Sequence, residues 1–455
     1  MNPPDSEPSF AELQPARFAA DFVWGVATSA AQIEGAAQED GRGPSIWDRF
    51  CAEPGRIIDG SNTAVACDHY HHWPEDVALM RDLGVGAYRF SLAWPRVQAL
   101  GRGDWNEAGF AFYDRLIDGL LAAGIQPHAT LYHWDLPAAL QDGIGGWASR
   151  EIVPLFADYA AEVGRRFGDR LASLATLNEP WCVATLGHET AQFAPGLTDR
   201  RLAMQVSHHL LLAHGQAIAA LRAACRTPLG IVLNHTPAFP ARPTEGDRRA
   251  ARLDDGLNVR WYMDPLFMGS YPADVLAHLG ADAPQVADGD FRLIAQPLDF
   301  LGVNFYTRNF ISSMQPAPPA PGAQGFTDMG WEVVPEALTE HLGRLTREYA
   351  PPPIYITENG MANADVLEGG RVNDQPRIDY LRGHLLALGR AIALGTRVKG
   401  YFYWSLLDNF EWNSGYTKRF GLVHVDYASQ QRTLKDSAYW YRDFIARHRR
   451  AWAHG

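Results

Sequence analysis

Only four cysteines, Cys51, Cys67, Cys182 and Cys225, occur among 455 residues, and none forms a CxxC pair or a spacing suited to a metal. A chain this long buries enough apolar surface without covalent staples, so the four are read as reduced thiols and a disulfide-built miniprotein is excluded. Positive charge is scarce as well: 40 Lys and Arg against 52 Asp and Glu give a net charge of -12. Such a surface repels phosphate backbones and anionic lipid, so neither nucleic acid nor a membrane is expected as a partner. The richest apolar stretch, residues 210–224, is interrupted by His214, Gln216 and Arg222, short of the ~18 uninterrupted residues a membrane span requires. The opening MNPPDSEPSF carries neither a basic nor an apolar signal region, which makes the cytoplasm the expected address. A GxSxG elbow, a Walker loop and a complete GxGxxG are absent, and HETAQ at 188–192 lacks the second histidine of a zinc protease. Serine hydrolases, NTPases, dinucleotide enzymes and that protease class therefore lose their usual signatures.

What is present is a globular composition, 47% hydrophobic and 20% charged, arranged in a repeating pattern. Eight runs rich in β-branched and aromatic residues fall at 22–29, 87–94, 126–134, 171–179, 229–235, 300–307, 353–360 and 399–408. Apolar spacing of i, i+3/i+4 between and after them predicts helices over 74–83, 107–123, 151–167, 201–224, 336–349, 376–394 and 436–448. Several end at a glycine, Gly84, Gly124, Gly168 or Gly395, as a left-handed cap requires. Eight strand runs alternating with seven helical stretches predict an α/β fold, a single (β/α)8 TIM barrel with extended βα loops, with a doubly wound open sheet as the alternative. Residues 17–455 are expected to form one catalytic domain behind a flexible segment over 1–16. The low-complexity stretch QPAPPAPGAQG at 315–325 reads either as a βα loop rimming the active face or as a disordered excursion.

In a parallel barrel the reactive groups project from the C-terminal ends of the strands. Those ends are polar here: Gln32 just past the first run, Arg89, His133 with Trp134, Asn178 with Glu179, Asn304 with Tyr306, Glu358 with Asn359, and Trp404 with Glu411 and Trp412 beyond it. Glu179 in TLNEP and Glu358 in ITENG end hydrophobic strands where a structural residue would be apolar. Two carboxyls across an aromatic-lined pocket suit glycoside chemistry, one protonating the leaving oxygen while the other attacks the anomeric carbon or activates water. Trp134, Trp404 and Trp412 can stack on the C–H face of a sugar. His69, His71 and His72 precede the helix expected from Pro74 and end no strand, and His208 and His209 are helical neighbours facing different ways. Neither group reads as a metal site, and no cofactor is expected.

These residues resemble the family 1 glycoside hydrolases, the β-glucosidase family, over nearly the whole chain. The likeness rests on FVWGVATSAAQIEG, ACDHYHHWPEDV, YRFSLAWPR, TLYHWDLP, TLNEP, GVNFYT, YITENG and YFYWSLLDNFEW. It implies a single (β/α)8 barrel and a retaining β-glycosidase acting on small β-glycosides or short oligosaccharides, such as those of cellulose breakdown. It implies Glu179 as acid/base and Glu358 as nucleophile. Gln32, His133, Asn178, Glu411 and Trp412 are then the groups that bind sugar hydroxyls, and Trp404 is the platform beneath the ring. Arg89 and Tyr306 hydrogen-bond the nucleophile, and Trp331 stands at the aglycone entrance.

Ala138, Phe193, Ala31 and Leu174 depart from the family's usual residues, which bears on the aglycone side and not on the reacting groups. The family's 6-phospho branch carries Ser, Lys and Tyr at positions matching Glu411, Lys418 and Phe420; only the lysine is shared, and a carboxylate at 411 would repel a phosphate. A 6-phospho-β-glycosidase and a non-catalytic sugar-binding relative are the alternatives, and glucose, galactose and fucose remain open as the glycone.

Overall fold

The computed structural model describes residues 13–318 and 320–453. Eight parallel strands, β1 (Val23–Ala27), β2 (Ala87–Ser91), β3 (Gln126–Tyr132), β4 (Ser173–Asn178), β5 (Leu229–Asn234), β6 (Phe300–Asn304), β7 (Ile354–Asn359) and β8 (Val398–Trp404), each pair with their sequence neighbours. The barrel closes where Val23 pairs with Gly400 and Ala27 with Trp404. Seven strands lie within the expected runs and β8 starts one residue ahead of its run, at Val398; nearly every strand residue is buried, because helices cover one face and the barrel interior the other.

The interior is divided by chemistry. Below the strand C-termini it is filled by aromatic rings: Phe300 and Tyr355 lie 5.7 Å apart, and His128 lies 5.0 Å from Phe402. Two glycines make room for them. A Cβ on Gly25 would stand 2.5 Å from the Phe402 ring, and one on Gly230 2.7 Å from the Phe300 ring. Burial pushes His128 down to about 3, so it fills this layer as a neutral ring, its Nδ1 2.7 Å from Ser173 Oγ. Above this plug the interior turns polar, with Arg89, Asn178, Asn304 and Glu358 all buried.

The surrounding helices include α1 (His69–Asp82), α2 (Glu107–Ala122), α3 (Ile152–Phe167), α4 (Arg200–Ala224), α5 (Pro335–Tyr349), α6 (Gln375–Ala393) and α7 (Asp436–Trp452). In α3 the stripe Ile152, Phe156, Tyr159, Val163 and Phe167 is buried, the period that marked it in the sequence. α4 is capped by Asp199, whose Oδ1 accepts the Leu202 N–H at 2.9 Å.

Two helix boundaries differ from expectation. α1 starts at His69, ahead of Pro74, so His69, His71 and His72 sit in its opening turns and not before it. Proline removes only its own N–H, and the first turn closes without it: the Asp68 carbonyl accepts from the N–H of His71 at 3.1 Å and of His72 at 3.0 Å. α7 runs to Trp452, about a turn beyond residue 448, because the His448 and Trp452 rings reach the carbonyls of Ala19 and Phe18, each at 3.0 Å. Of the segment 1–16, residues 1–12 lie outside the described residues, and Leu13 is buried in the core. Residues 315–325 follow β6 and are tied down in part by Arg242, which donates to the Pro316 carbonyl at 2.8 Å.

A buried ion network fastens the last two βα loops. Lys435 Nζ, just before α7, donates to Asp365 Oδ2 and Asp408 Oδ1, both at 2.6 Å. Asp365 also accepts from Arg377 of α6 at 2.7 Å, and Asp408 from Arg419 at 2.6 Å and from the Gly421 N–H at 2.9 Å. Asp365, Arg377, Asp408 and Lys435 have fully buried side chains, and the loop they brace, after β8, carries Glu411 and Trp412. Removing one partner of such a network strands the remaining charge in low dielectric. Lys435→Met is therefore expected to destabilise the protein by roughly 3–5 kcal/mol, read as a lower midpoint in chemical denaturation. An unchanged midpoint would show that the network contributes nothing to stability.

Candidate active site

The polar upper half of the barrel gathers residues from seven of the eight strands or the segments just beyond them, all but β5. Glu358, closing β7, is buried, and each of its oxygens accepts a hydrogen bond: Oε1 from Arg89 Nη1 at 2.6 Å and Oε2 from the Tyr306 hydroxyl at 2.7 Å. Arg89 Nη2 donates to Asn178 Oδ1 at 2.6 Å. Asn304 Nδ2, at the end of β6, donates to Asn178 Oδ1 at 3.1 Å and to Glu179 Oε1 at 2.6 Å, while its own Oδ1 accepts from Thr357. The two carboxyls are thus linked through Arg89, Asn178 and Asn304. Glu179 sits one residue past β4 with φ +47, a left-handed turn that an L-residue adopts only when its surroundings hold it there. Its second oxygen, Oε2, accepts from the Cys182 thiol at 3.1 Å.

The two glutamates differ in environment. Burial, and then the neighbouring charge of Glu358, push Glu179 up to about 7, so it holds a proton near neutral pH. Glu358 is instead held at both oxygens by a guanidinium and a phenol. Glu411, in the loop after β8, is pushed up to about 8 by burial and by the other two carboxyls. Near neutral pH Glu411 therefore favours its protonated form, and the full negative charge expected at this position is reduced.

Gln32 reaches this loop from the other side of the barrel closure. Its Nε2 donates to the Phe410 carbonyl at 2.7 Å and to Glu411 Oε2 at 3.4 Å, and its Oε1 accepts from Ser29 at 2.6 Å. An aromatic wall stands beside them. The His133 ring stacks 5.8 Å from Trp404 and 5.9 Å from Trp412, and Trp134 lies 4.4 Å from Trp412. Trp134 Nε1 donates to the Asn178 carbonyl at 2.8 Å, tying the wall to the strand that precedes Glu179. His133 is held neutral by burial and by Arg89. Its Nε2 lies 3.1 Å from Asn178 Nδ2, while Nδ1 has no partner among the described residues. Trp331 packs 5.3 Å from Tyr306 and 6.1 Å from Phe420.

The residues singled out at the strand ends join this one assembly except Asn359, which faces the helix layer: its Nδ2 donates to the Phe305 carbonyl at 2.7 Å and to the Tyr380 hydroxyl of α6 at 2.9 Å. Phe193, where the chain departs from the usual pattern, lies 5.4 Å from Trp134 and 6.0 Å from Trp412, and Leu174 is buried in the core. Lys418 is already engaged, with its Nζ 2.7 Å from the Asp328 carbonyl and 3.1 Å from Asp328 Oδ2. The histidines excluded as ligands have other partners. His69 Nδ1 lies 2.8 Å from Asp76, which Arg432 also binds, and His208 lies between Tyr271 and Asp290. Among the described residues no three His, Cys, Asp or Glu side chains are grouped to hold a metal ion, and no helix is long and apolar enough to cross a membrane.

Two participants were not assigned a role from the sequence. Asn304 stood out only as a polar strand end, and Cys182 only as a thiol without a disulfide partner. The signal for Cys182 was its position three residues after Glu179, one helical turn on from a carboxyl that ends a strand.

Residues 14–450 match the profile of glycosyl hydrolase family 1. A β-glucosidase of Agrobacterium sp. is 47% identical over 94% of this chain and 95% of its own length, and β-glucosidase A of Thermotoga maritima is 45% identical over 94% and 98%. Among solved structures, the Thermotoga maritima family 1 β-glucosidase in complex with glucoimidazole superposes with a TM-score of 0.91, at 44% identity over 95% of this chain and 99% of that one. The Agrobacterium tumefaciens virulence factor SghA, in complex with its substrate analog salicin, gives 0.93 at 44% identity over 97% and 99%. With its eight-stranded barrel, its buried glutamates at the ends of β4 and β7 and a profile match over almost its whole length, the chain is a glycoside hydrolase belonging to glycosyl hydrolase family 1.

Proposed function

We propose that the chain is a retaining β-glucosidase, a single catalytic domain over 17–455. It acts in the cytoplasm on terminal β-D-glucosyl residues of small glycosides and of short oligosaccharides such as those of cellulose breakdown. The observation that carries the reading is the contrast between the two buried carboxyls. Glu358, oriented by Arg89 and Tyr306 at 2.6 and 2.7 Å, attacks the anomeric carbon, while Glu179, raised to about 7, gives its proton to the leaving oxygen. The same Glu179, now ionised, takes a proton from water as that water displaces Glu358 from the glycosyl-enzyme, which restores both groups. Sugar hydroxyls fall to Gln32, His133, Asn178, Glu411 and Trp412, with Tyr306 meeting the substrate beside the nucleophile, Trp404 beneath the ring and Trp331 toward the aglycone. The relatives named β-glucosidase support the glycone, and the complex of SghA with its substrate analog salicin supports a small β-glycoside as substrate.

Proton NMR of the first-formed sugar tests the stereochemistry. Hydrolysis of a β-glucoside is expected to release the β-anomer first, and an α-anomer appearing first would refute double displacement.

The two roles separate by mutation and by pH. Glu358→Gln is expected to lower kcat by at least about 10^4-fold on every substrate. Glu179→Gln should lose roughly 10²–10⁴-fold on an alkyl glucoside, where a proton must be supplied. It should lose less than about tenfold in the glycosylation step with a dinitrophenyl glucoside, whose leaving group needs none. In the wild type, kcat/KM should fall as pH rises through about 7, where Glu179 loses its proton. Equal losses on both aglycones would remove Glu179 from the acid role.

An unphosphorylated glycone is favoured by the occupied Lys418 and by Phe420, a buried ring with no donor. kcat/KM for a plain β-glucoside is expected to exceed that for its 6-phosphate by roughly 30-fold or more, about 2 kcal/mol. The reverse preference would move the chain to the 6-phospho class.

A further inference from the structure

Glu179 is held at both oxygens, by donors of unequal strength. Asn304 Nδ2 donates to Oε1 at 2.6 Å and the Cys182 thiol to Oε2 at 3.1 Å. The local fold produces the second contact. After the left-handed turn at Glu179 the chain doubles back, the Cys182 N–H donates to the Glu179 carbonyl at 2.9 Å, and Cys182 opens the π-helical segment Cys182–Glu189 with its side chain beside the carboxyl. The sulfur is buried. Burial and the carboxyls of Glu179 and Glu358 hold its thiol well above the usual range, so the S–H persists as a donor.

We propose that Cys182 is a positioning residue for the proton-donating glutamate: with Asn304 fixing Oε1 as the carbonyl-like oxygen, the thiol orients Oε2 as the oxygen that carries the proton. An amide N–H donates and never accepts, so its 2.6 Å bond favours an unprotonated Oε1, and the proton of the acid form goes to Oε2. A thiol is a weak donor. It orients Oε2 while competing little with protonation, whereas a hydroxyl in its place would donate a strong charge-assisted bond and favour the carboxylate. Choosing sulfur over oxygen at position 182 thereby sets where Glu179 ionises. The other groups bearing on this pair are Glu358 from β7, Arg89 from β2, Tyr306 beyond β6 and Glu411 from the loop after β8, with Tyr262 of the helix Trp261–Phe267 facing the thiol.

The inference rests on Glu179 being the acid, and one set of rate measurements tests both separately. In kcat/KM measured on an alkyl glucoside, Cys182→Ala removes a donor to the carboxylate and should move the alkaline limb up by about half a pH unit. Cys182→Ser supplies a stronger donor and should move it down by about as much. Shifts of opposite sign support the proposal, because a residue that merely fills space would lower rate or stability without dividing the limb in this way. An unmoved limb in both variants, or shifts in the same direction, would overturn it. Should Cys182→Ala fail to fold, Cys182→Ser decides alone: a downward shift supports the role and an unchanged limb refutes it. Glu179→Gln, assayed on both aglycones, keeps the readings apart. If it loses equally on the alkyl and the dinitrophenyl glucoside, Glu179 is not the acid. If its loss is confined to the alkyl glucoside while the Cys182 variants leave the alkaline limb in place, only the role of the thiol has failed.

Discussion

Three carboxyl groups, those of Glu179, Glu358 and Glu411, are buried together: Glu358 raises the proton affinity of Glu179, both raise that of Glu411, and one guanidinium, that of Arg89, hydrogen-bonds Glu358 among them. Like charges in a desolvated pocket cannot all ionise. The imbalance is relieved unequally: the group paired with Arg89 is held by two donors, while the other two are pushed toward the protonated form. Division of labour between chemically identical side chains follows from where a single cation is placed. The placement is itself structural, since Arg89 lies on β2, adjacent to β1 and β3, and its two Nη atoms reach the ends of β7 and β4 across the barrel.

Holding that arrangement needs a rigid floor and rigid walls. The floor is the aromatic plug of Phe300, Tyr355, Phe402 and neutral His128, admitted by glycines on neighbouring strands. The walls are loops, which would ordinarily be the mobile part of a barrel. Here the loop carrying Glu411 and Trp412 is fastened from behind by the buried charges of Asp365, Arg377, Asp408 and Lys435, and from the front by the Trp412 ring, which stacks on His133 and packs at a tilt against Trp134. A pocket that raises the proton affinity of its own carboxyls needs such bracing, because a loop free to open would let water in and relieve the desolvation that sets those affinities.

The eight strands were legible because parallel barrel strands are buried on both faces and read as short, continuous apolar runs, and the polar residues interrupting the ends of those runs marked the site. The start of α1 was not legible: proline at 74 is a strong local signal, and the Asp68 carbonyl that closes the turn ahead of it is a backbone contact with no sequence signature. Asn304 was visible only as a polar strand end, since its role lies in spanning β4, β6 and β7. Lys418 illustrates the same limit, for its partner Asp328 comes from a different loop.

By itself, then, the amino-acid sequence determined the barrel, the two carboxyls and the aromatic residues around them, because periodicity and strand-end polarity are properties of short stretches of chain. Which carboxyl holds a proton, which oxygen of Glu179 faces the amide of Asn304 and which the thiol of Cys182, and whether Glu411 is charged were decided only by tertiary structure. Desolvation and Coulomb interaction depend on distances between residues far apart in the chain, and those distances exist only once the barrel has closed.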